Sequence, residues 1–253
     1  TGAACSVWGG AHYKRSSRAT GNGMEGVAAL FNDSLLALDE ISECDPREVG
    51  AIVYALGNGR GKQRASRSGT ARAVSRWRCS VLSSGERTIG TTMAEGGHRI
   101  KAGQSVRLLD VPAQRTYGAW DNLHQHASGT AFSDALKLAS VTHYGHAGRK
   151  FLERLTRDHD SSFGEALDAI KAMPEFQVSG DEGQEKRAAA RFAVLALAGE
   201  LATDYGVTGW PEGEAIRAAA VGFAAWRTLR GKGNLERDQV IERMVGFIER
   251  HGD

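Results

Sequence analysis

Leu35-Leu36-Ala37-Leu38-Asp39-Glu40, read as LLALDE, decides the fold of the first half of the chain. Four apolar residues in a row are too few for a helix and suit a strand buried on both faces. Two carboxylates follow without a spacer. At the C-terminal end of such a strand, an Asp is placed to hold a divalent cation against phosphate oxygens. A neighbouring Glu is placed to polarise an attacking water. On this reading Asp39 holds the Mg²⁺ of a bound ATP and Glu40 orients water. Alone, the same pattern also describes a strand that ends in two solvated acids, so its meaning depends on the flanking sequence.

Upstream, residues 26–32 have helical spacing, with Val27, Leu30 and Phe31 on one face. Downstream, Pro46 stands behind Asp45 as a first helical residue. Val49, Ile52, Val53 and Leu56 continue that helix to Gly57. Ser80–Leu82 and Val106–Val111 read as further strands, the second closed by Pro112. Residues 1–118 thus have the texture of an α/β core. Residues 119–174 read as a helical extension, with one long segment from Ser133 to Leu155. The polar stretch 175–185 is the best linker candidate. Residues 175–253 read as an all-α C-terminal region with helices at Lys186–Tyr205, Gly213–Leu229 and Leu235–His251.

With 253 residues, 41% hydrophobic and 25% charged, the chain can bury a sizeable core. The net charge of +2 identifies no partner, but its distribution is informative. Val49–Gly85 contains no acidic residue, while Arg60, Lys62, Arg64, Arg67, Arg72, Arg76 and Arg78 are basic. The rest of the chain is therefore net negative. The Gly/Ser/Arg-rich stretch 57–70 lies between a helix and a strand, and suits a loop or hairpin that follows a phosphate backbone.

A nucleotide-hydrolysing site also needs a phosphate cradle of the form G-x-x-x-x-G-K-[ST]. None is present. GNGRGK (57–62) has the wrong spacing: Leu56 stands five residues before Gly61, and Gln63 occupies the Ser/Thr position. The expected cradle lies upstream of Thr1, with residues 1–8 as the helix that follows it. In VLSSGE (81–86), Ser83 or Ser84 is placed to sense a γ-phosphate from a neighbouring strand. Arg107, in GQSVRLLDVP (103–112), is a candidate arginine finger at a strand edge.

Other chemistries have less support. His124 and His126 form HxH, and His143 and His146 form HxxH, but no carboxylate or Cys cluster accompanies them. No G-x-S-x-G elbow exists. Cys5, Cys44 and Cys79 are scattered and odd in number, which fits a reducing cytoplasm rather than a disulfide framework. No apolar run is long enough for a membrane span, and the N-terminus lacks the pattern of a signal peptide.

The order of motifs resembles a known family. ATGNGMEGVAALFNDSLLALDEISE (19–43), YALGNGRGKQRA (54–65), WRCSVLSSGE (77–86), AGQSVRLLDVP (102–112) and RFAVLALAGELATDYGVTGWPEGEA (191–215) resemble domain of unknown function (DUF) family 927. That family looks like the motor part of helicase-like proteins of bacterial mobile elements and prophages. It is similar to AAA+ ATPases of the MCM-like type, P-loop NTPases that form hexameric rings around DNA.

The resemblance implies that Asp39 and Glu40 are the Walker B pair, that Ser84 lies near sensor 1, and that Arg107 is an arginine finger acting in trans. Residues 60–72, with Arg60, Lys62, Arg64, Arg67 and Arg72, correspond to a pre-sensor hairpin in the ring channel. Lys186–Ala202 corresponds to the lid helix, with Arg187 or Arg191 as sensor 2. ATP, Mg²⁺ and single-stranded or forked DNA are the implied ligands, and bacterial cytoplasm the implied location. A non-catalytic DNA-binding or assembly module, and an AAA+ ATPase that remodels other proteins, are the alternatives.

Overall fold

The computed structural model describes residues 1–63, 65, 69–71, 73–100, 102–158, 162–179, 183–230 and 244. In chain order the regular elements are α1 (Gly2–Ser6), β1 (Arg15–Ser16), α2 (Gly21–Leu30), β2 (Leu35–Asp39), α3 (Val49–Asn58), β3 (Ser80–Ser83), α4 (Ile89–Glu95), α5 (Ala102–Ser105), α6 (Gly129–Thr142), α7 (His146–Arg157), α8 (Phe163–Ala172), α9 (Gly183–Asp204) and α10 (Glu214–Arg230). The chain divides into two compact units. The first comprises Thr1–Ile100 and Ala113–Thr156, the second Lys101–Pro112 and Arg157–Asp253.

A three-stranded parallel sheet, in the order β1-β2-β3, organises the first unit. Leu35 is in register with Ser80, and Leu38 with both Arg15 and Ser83. Because β2 is the middle strand, Leu36, Ala37 and Leu38 are all fully buried. Successive side chains point to opposite faces of a strand, so both faces must be covered, which is why LLAL is apolar without alternation. Met24 and Ala28 of α2, and Val49, Ile52, Val53 and Leu56 of α3, are also buried. The Thr20 hydroxyl caps α2 by accepting the Gly23 N–H at 3.3 Å.

Three local expectations need correction. The helix before β2 begins at Gly21, earlier than residue 26, because Thr20 supplies a cap. α3 begins at Val49 rather than Pro46, because the Asp45 carboxylate takes the Arg47 N–H at 2.9 Å and holds residues 45–48 in a turn. The segment Ser133–Leu155 is two helices, α6 and α7. The Gly145 N–H at the break donates to Ser6 O at 2.8 Å, and a Cβ on Gly148 would meet Val7 O at 2.6 Å, so α1 lies against this corner.

The second unit is helical. α9 and α10 pack around Phe192, Phe223 and Trp226, with Val106, Ile170 and Phe176 completing the core. The backbones come close at Gly199, where a Cβ would lie 2.4 Å from the Ala215 Cβ. The Glu200 carboxylate accepts the Gly213 and Ile216 N–H groups at 2.8 and 3.0 Å, so α9 caps the start of α10. Buried Glu185 pairs with Arg227 and Arg230 at 3.2 and 3.5 Å. Val106–Val111 is not a strand. Gln104 O accepts the Arg107 and Leu108 N–H groups, and Val106 and Leu109 serve the helical core instead of a β-ladder. The expected helix Leu235–His251 lies outside the described residues, apart from Met244.

Candidate functional site

β2 delivers Asp39 to the carboxyl edge of the sheet. Asp39 carries an ion pair with Lys14, the residue just before β1. Ser84, just past β3, donates its hydroxyl to Asp39 Oδ1 at 3.4 Å. The Lys14 hydrogen bond, with help from its charge and from Ser84, holds the Asp39 carboxyl below its ordinary pKa against the opposing effect of partial burial. Ser17 is fully buried and donates its hydroxyl to the Asp39 carbonyl at 2.7 Å. The Ile41 N–H donates to Ser84 O at 3.2 Å, which continues the β2–β3 alignment past the strand ends. Asp39 is thus fixed through its main chain, while its carboxylate stays partly open.

Glu40 is exposed and has φ 48° and ψ 74°, a left-handed conformation that costs a non-glycine residue about 1–2 kcal/mol. The chain makes this turn directly after the strand, which separates the Glu40 side chain from the line of β2. Such backbone strain clusters at functional positions. Asp39 and Ser84 are brought together as the sequence suggested. Lys14 was missed: it sits before a strand of only two residues, and its pairing with Asp39 spans 25 positions, so no local pattern marks it. A hollow lined by Trp8, Asp33, Ser34, Leu35, Arg78, Cys79 and Ser80 lies at the other end of the strands and does not include Asp39.

The basic segment between α3 and β3 folds back on itself. Arg60 bridges Arg76, and Ala65 bridges Ala71, both antiparallel. The Gly61 N–H donates to Ser75 O at 2.9 Å, and the Trp77 N–H to Gly59 O at 3.0 Å. Gly59 has φ 64°, and a Cβ there would lie 2.4 Å from Trp77 O, so this crossing of the two arms requires glycine. Trp77 is buried, and its indole N–H donates to Leu56 O at 3.3 Å. Arg60 and Lys62 are exposed on the outgoing arm. Arg64, Arg67 and Arg72 lie outside the described residues.

In the second unit Arg107 lies in the turn after α5, not at a strand edge, and its guanidinium donates to Gly103 O at 2.5 Å. Arg187 and Arg191 stand four positions apart on α9, on one face. Arg191 donates to Val106 O, next to Arg107. Burial first, and then the charges of Arg107 and Arg187, push the Arg191 pKa down. Arg191 thus ties α9 to the turn that carries Arg107, with Arg187 one helical turn away. Of the histidines, His124 and His126 pack against the Phe132 ring at 5.7 and 5.2 Å. Among the described residues no group of three or more His, Cys, Asp or Glu side chains is arranged to hold a metal ion. No helix among them is long and apolar enough to cross a membrane.

These features define a mixed α/β protein with a small parallel sheet, many helices and an acidic pair at the carboxyl edge of the middle strand. Residues 1–76 match the model of a family described as Domain of unknown function (DUF927), the family that the motifs around LLALDE resemble. A solved structure titled "SCCmec type IV Cch - active helicase" is similar over 94% of this chain, with a TM-score of 0.62 and 20% sequence identity. The chain spans 40% of the length of that protein, and the likeness is one of fold. No curated protein matches the sequence.

Proposed function

We propose that these residues are part of the motor core of an ATP-dependent DNA helicase. The observation that carries this reading is the joint placement of Asp39, Glu40 and Ser84 at the carboxyl edge of β2 and β3, with a two-armed basic hairpin inserted just before β3. The fold shared with a protein titled an active helicase is consistent with it. In this mechanism the partly open Asp39 carboxylate would be the residue that holds Mg²⁺, which would supply charge neutralisation at the phosphates, and Glu40 would be the residue that orients water. Lys14, which pairs with Asp39 here, would place a cation beside that carboxylate when nucleotide binds. Ser84 bridges the hydrolysis site to β3, the strand that leads back to the hairpin. Arg107 of a neighbouring copy would be the residue that stabilises charge on a bound nucleotide's terminal phosphate. Arg191, which donates to Val106 O, would hold the turn that carries Arg107, and Arg187 or Arg191 would serve as sensor 2. Copies would therefore assemble as a ring, with DNA gripped by the hairpins.

The test is ATP hydrolysis by the full-length protein with and without single-stranded DNA. Turnover that rises with DNA is the expected result. DNA binding without hydrolysis would instead favour a non-catalytic assembly module, and hydrolysis indifferent to DNA a remodelling ATPase.

A further inference from the structure

We propose that α2 is the clamp that fixes both roots of the basic hairpin, with Glu25 as the positioning residue for its outgoing arm and Asn32 for its returning arm. This inference rests on the reading of the hairpin as a DNA contact. The Glu25 carboxylate is buried in α2 and accepts the Lys62 N–H at 3.1 Å. Gly61 passes so close that a Cβ on it would lie 2.8 Å from Glu25 Oε2. The outgoing arm is thus pressed against a buried acceptor by a residue with no side chain, and the exposed Lys62 side chain projects from a fixed backbone.

The returning arm meets the other end of the same helix. The Arg78 N–H donates to Asn32 Oδ1 at 2.7 Å, and Asp33 returns its own N–H to Arg78 O at 2.5 Å. The Asp33 carboxylate also pairs with the Arg78 guanidinium at 2.9 Å. Asn32 and Asp33 directly follow α2 and lead into β2, while Arg78 leads into β3. The arms therefore share one support, and that support is continuous with the strands that carry Asp39 and Ser84. A buried carboxylate facing a main-chain N–H is a costly arrangement unless the contact is kept. The Lys62 N–H therefore supplies one of the contacts that keep the Glu25 side chain inside α2.

The experiment measures single-stranded DNA affinity by fluorescence anisotropy with a labelled oligo-dT, over a range of salt, on the full-length protein. Glu25→Ala and Asn32→Ala should each weaken binding about five-fold, by freeing one arm. Glu25→Gln keeps a carbonyl acceptor for the Lys62 N–H and should restore affinity to within about two-fold. The double reversal Arg60→Glu/Lys62→Glu serves as the control for the hairpin itself and should also flatten the salt dependence. If the double reversal weakens binding while Glu25→Ala and Asn32→Ala bind like wild type, the clamp is wrong and the DNA contact stands. If the double reversal leaves both affinity and salt slope unchanged, the DNA reading fails instead. Should Glu25→Ala not fold, amide hydrogen exchange of the wild-type protein decides. The Lys62 N–H should be protected as long as the α2 amides, and rapid exchange there overturns the proposal.

Discussion

Lys14 and Asp39 form an ion pair across the first two strands of the sheet, at the edge where the acidic pair emerges. Its consequence can be read by titration. Asp39 has a lowered folded-state pKa, so its contribution to stability is fully present above the unfolded value and is lost as pH falls through the folded value. Lys14→Ala should therefore raise the Asp39 pKa, as measured by NMR, toward the ordinary carboxylate range. The melting-temperature gap between wild type and variant should be widest near neutral pH. It should close as pH falls through the lowered Asp39 pKa. A gap that persists in acid would mean that Lys14 acts through something other than this carboxylate.

Glu40 separates catalysis from stability. Glu40→Gln keeps size and backbone, and in the full-length protein should retain ATP binding while lowering turnover about 10²-fold or more. Glu40→Gly relieves the left-handed strain and should gain about 0.5–1 kcal/mol of stability while losing turnover in the same way. Urea unfolding alongside steady-state ATPase assays reads both. Wild-type turnover in Glu40→Gln removes the water-orienting role.

For Arg107 the informative measurement is subunit mixing. Arg107→Ala alone should lose most hydrolysis. Mixed with Glu40→Gln subunits, it should regain part of it, because each intact half-site is then supplied by a different copy. A defect that mixing does not relieve contradicts action across a subunit boundary. Arg191→Ala should also lower hydrolysis, since Arg191 donates to Val106 O and so holds the main chain next to Arg107.

Gly59→Ala tests the crossing of the hairpin arms. The new Cβ would meet Trp77 O at 2.4 Å in a backbone region that already disfavours alanine. A loss of about 2 kcal/mol or more is expected by chemical denaturation. Gly69, also left-handed but with nothing near its Cβ position, is the matched control, and alanine there should cost about 1–2 kcal/mol from strain alone.

The parts of this molecule that were legible in the sequence are those whose physics is local. LLAL announced a doubly covered strand because burial on both faces removes the polar alternation, whereas β3 was found at Ser80 from its short apolar run alone, and none of its residues is buried. The long helices α9 and α10 were visible as helical stretches at Lys186–Tyr205 and Gly213–Leu229. Val106–Val111 misled because a short apolar run reads alike whether it enters a ladder or plugs a helical core; here Val106 does the latter. Ser133–Leu155 read as one helix because the break at Gly145 is held by a partner far away in sequence, Ser6 O. Lys14 and Glu25 stayed invisible for the same reason. Each matters through a contact with a distant residue, Asp39 or the Lys62 main chain, and no spacing rule encodes that.

The parallel pairing of β2 with β3 also has a consequence for how the chain comes to be folded. Leu35 must find Ser80 across about forty-five intervening positions, and only then does the ladder reward the closure. α9 and α10, by contrast, are joined by a short connection between Asp204 and Glu214 and can zip together early. The sheet is therefore expected to consolidate after the helical pair. During refolding of the complete chain there is then an interval in which the molecule is largely helical, yet Asp39 and Ser84 have not met. Competence for chemistry would arrive as one of the last events of folding.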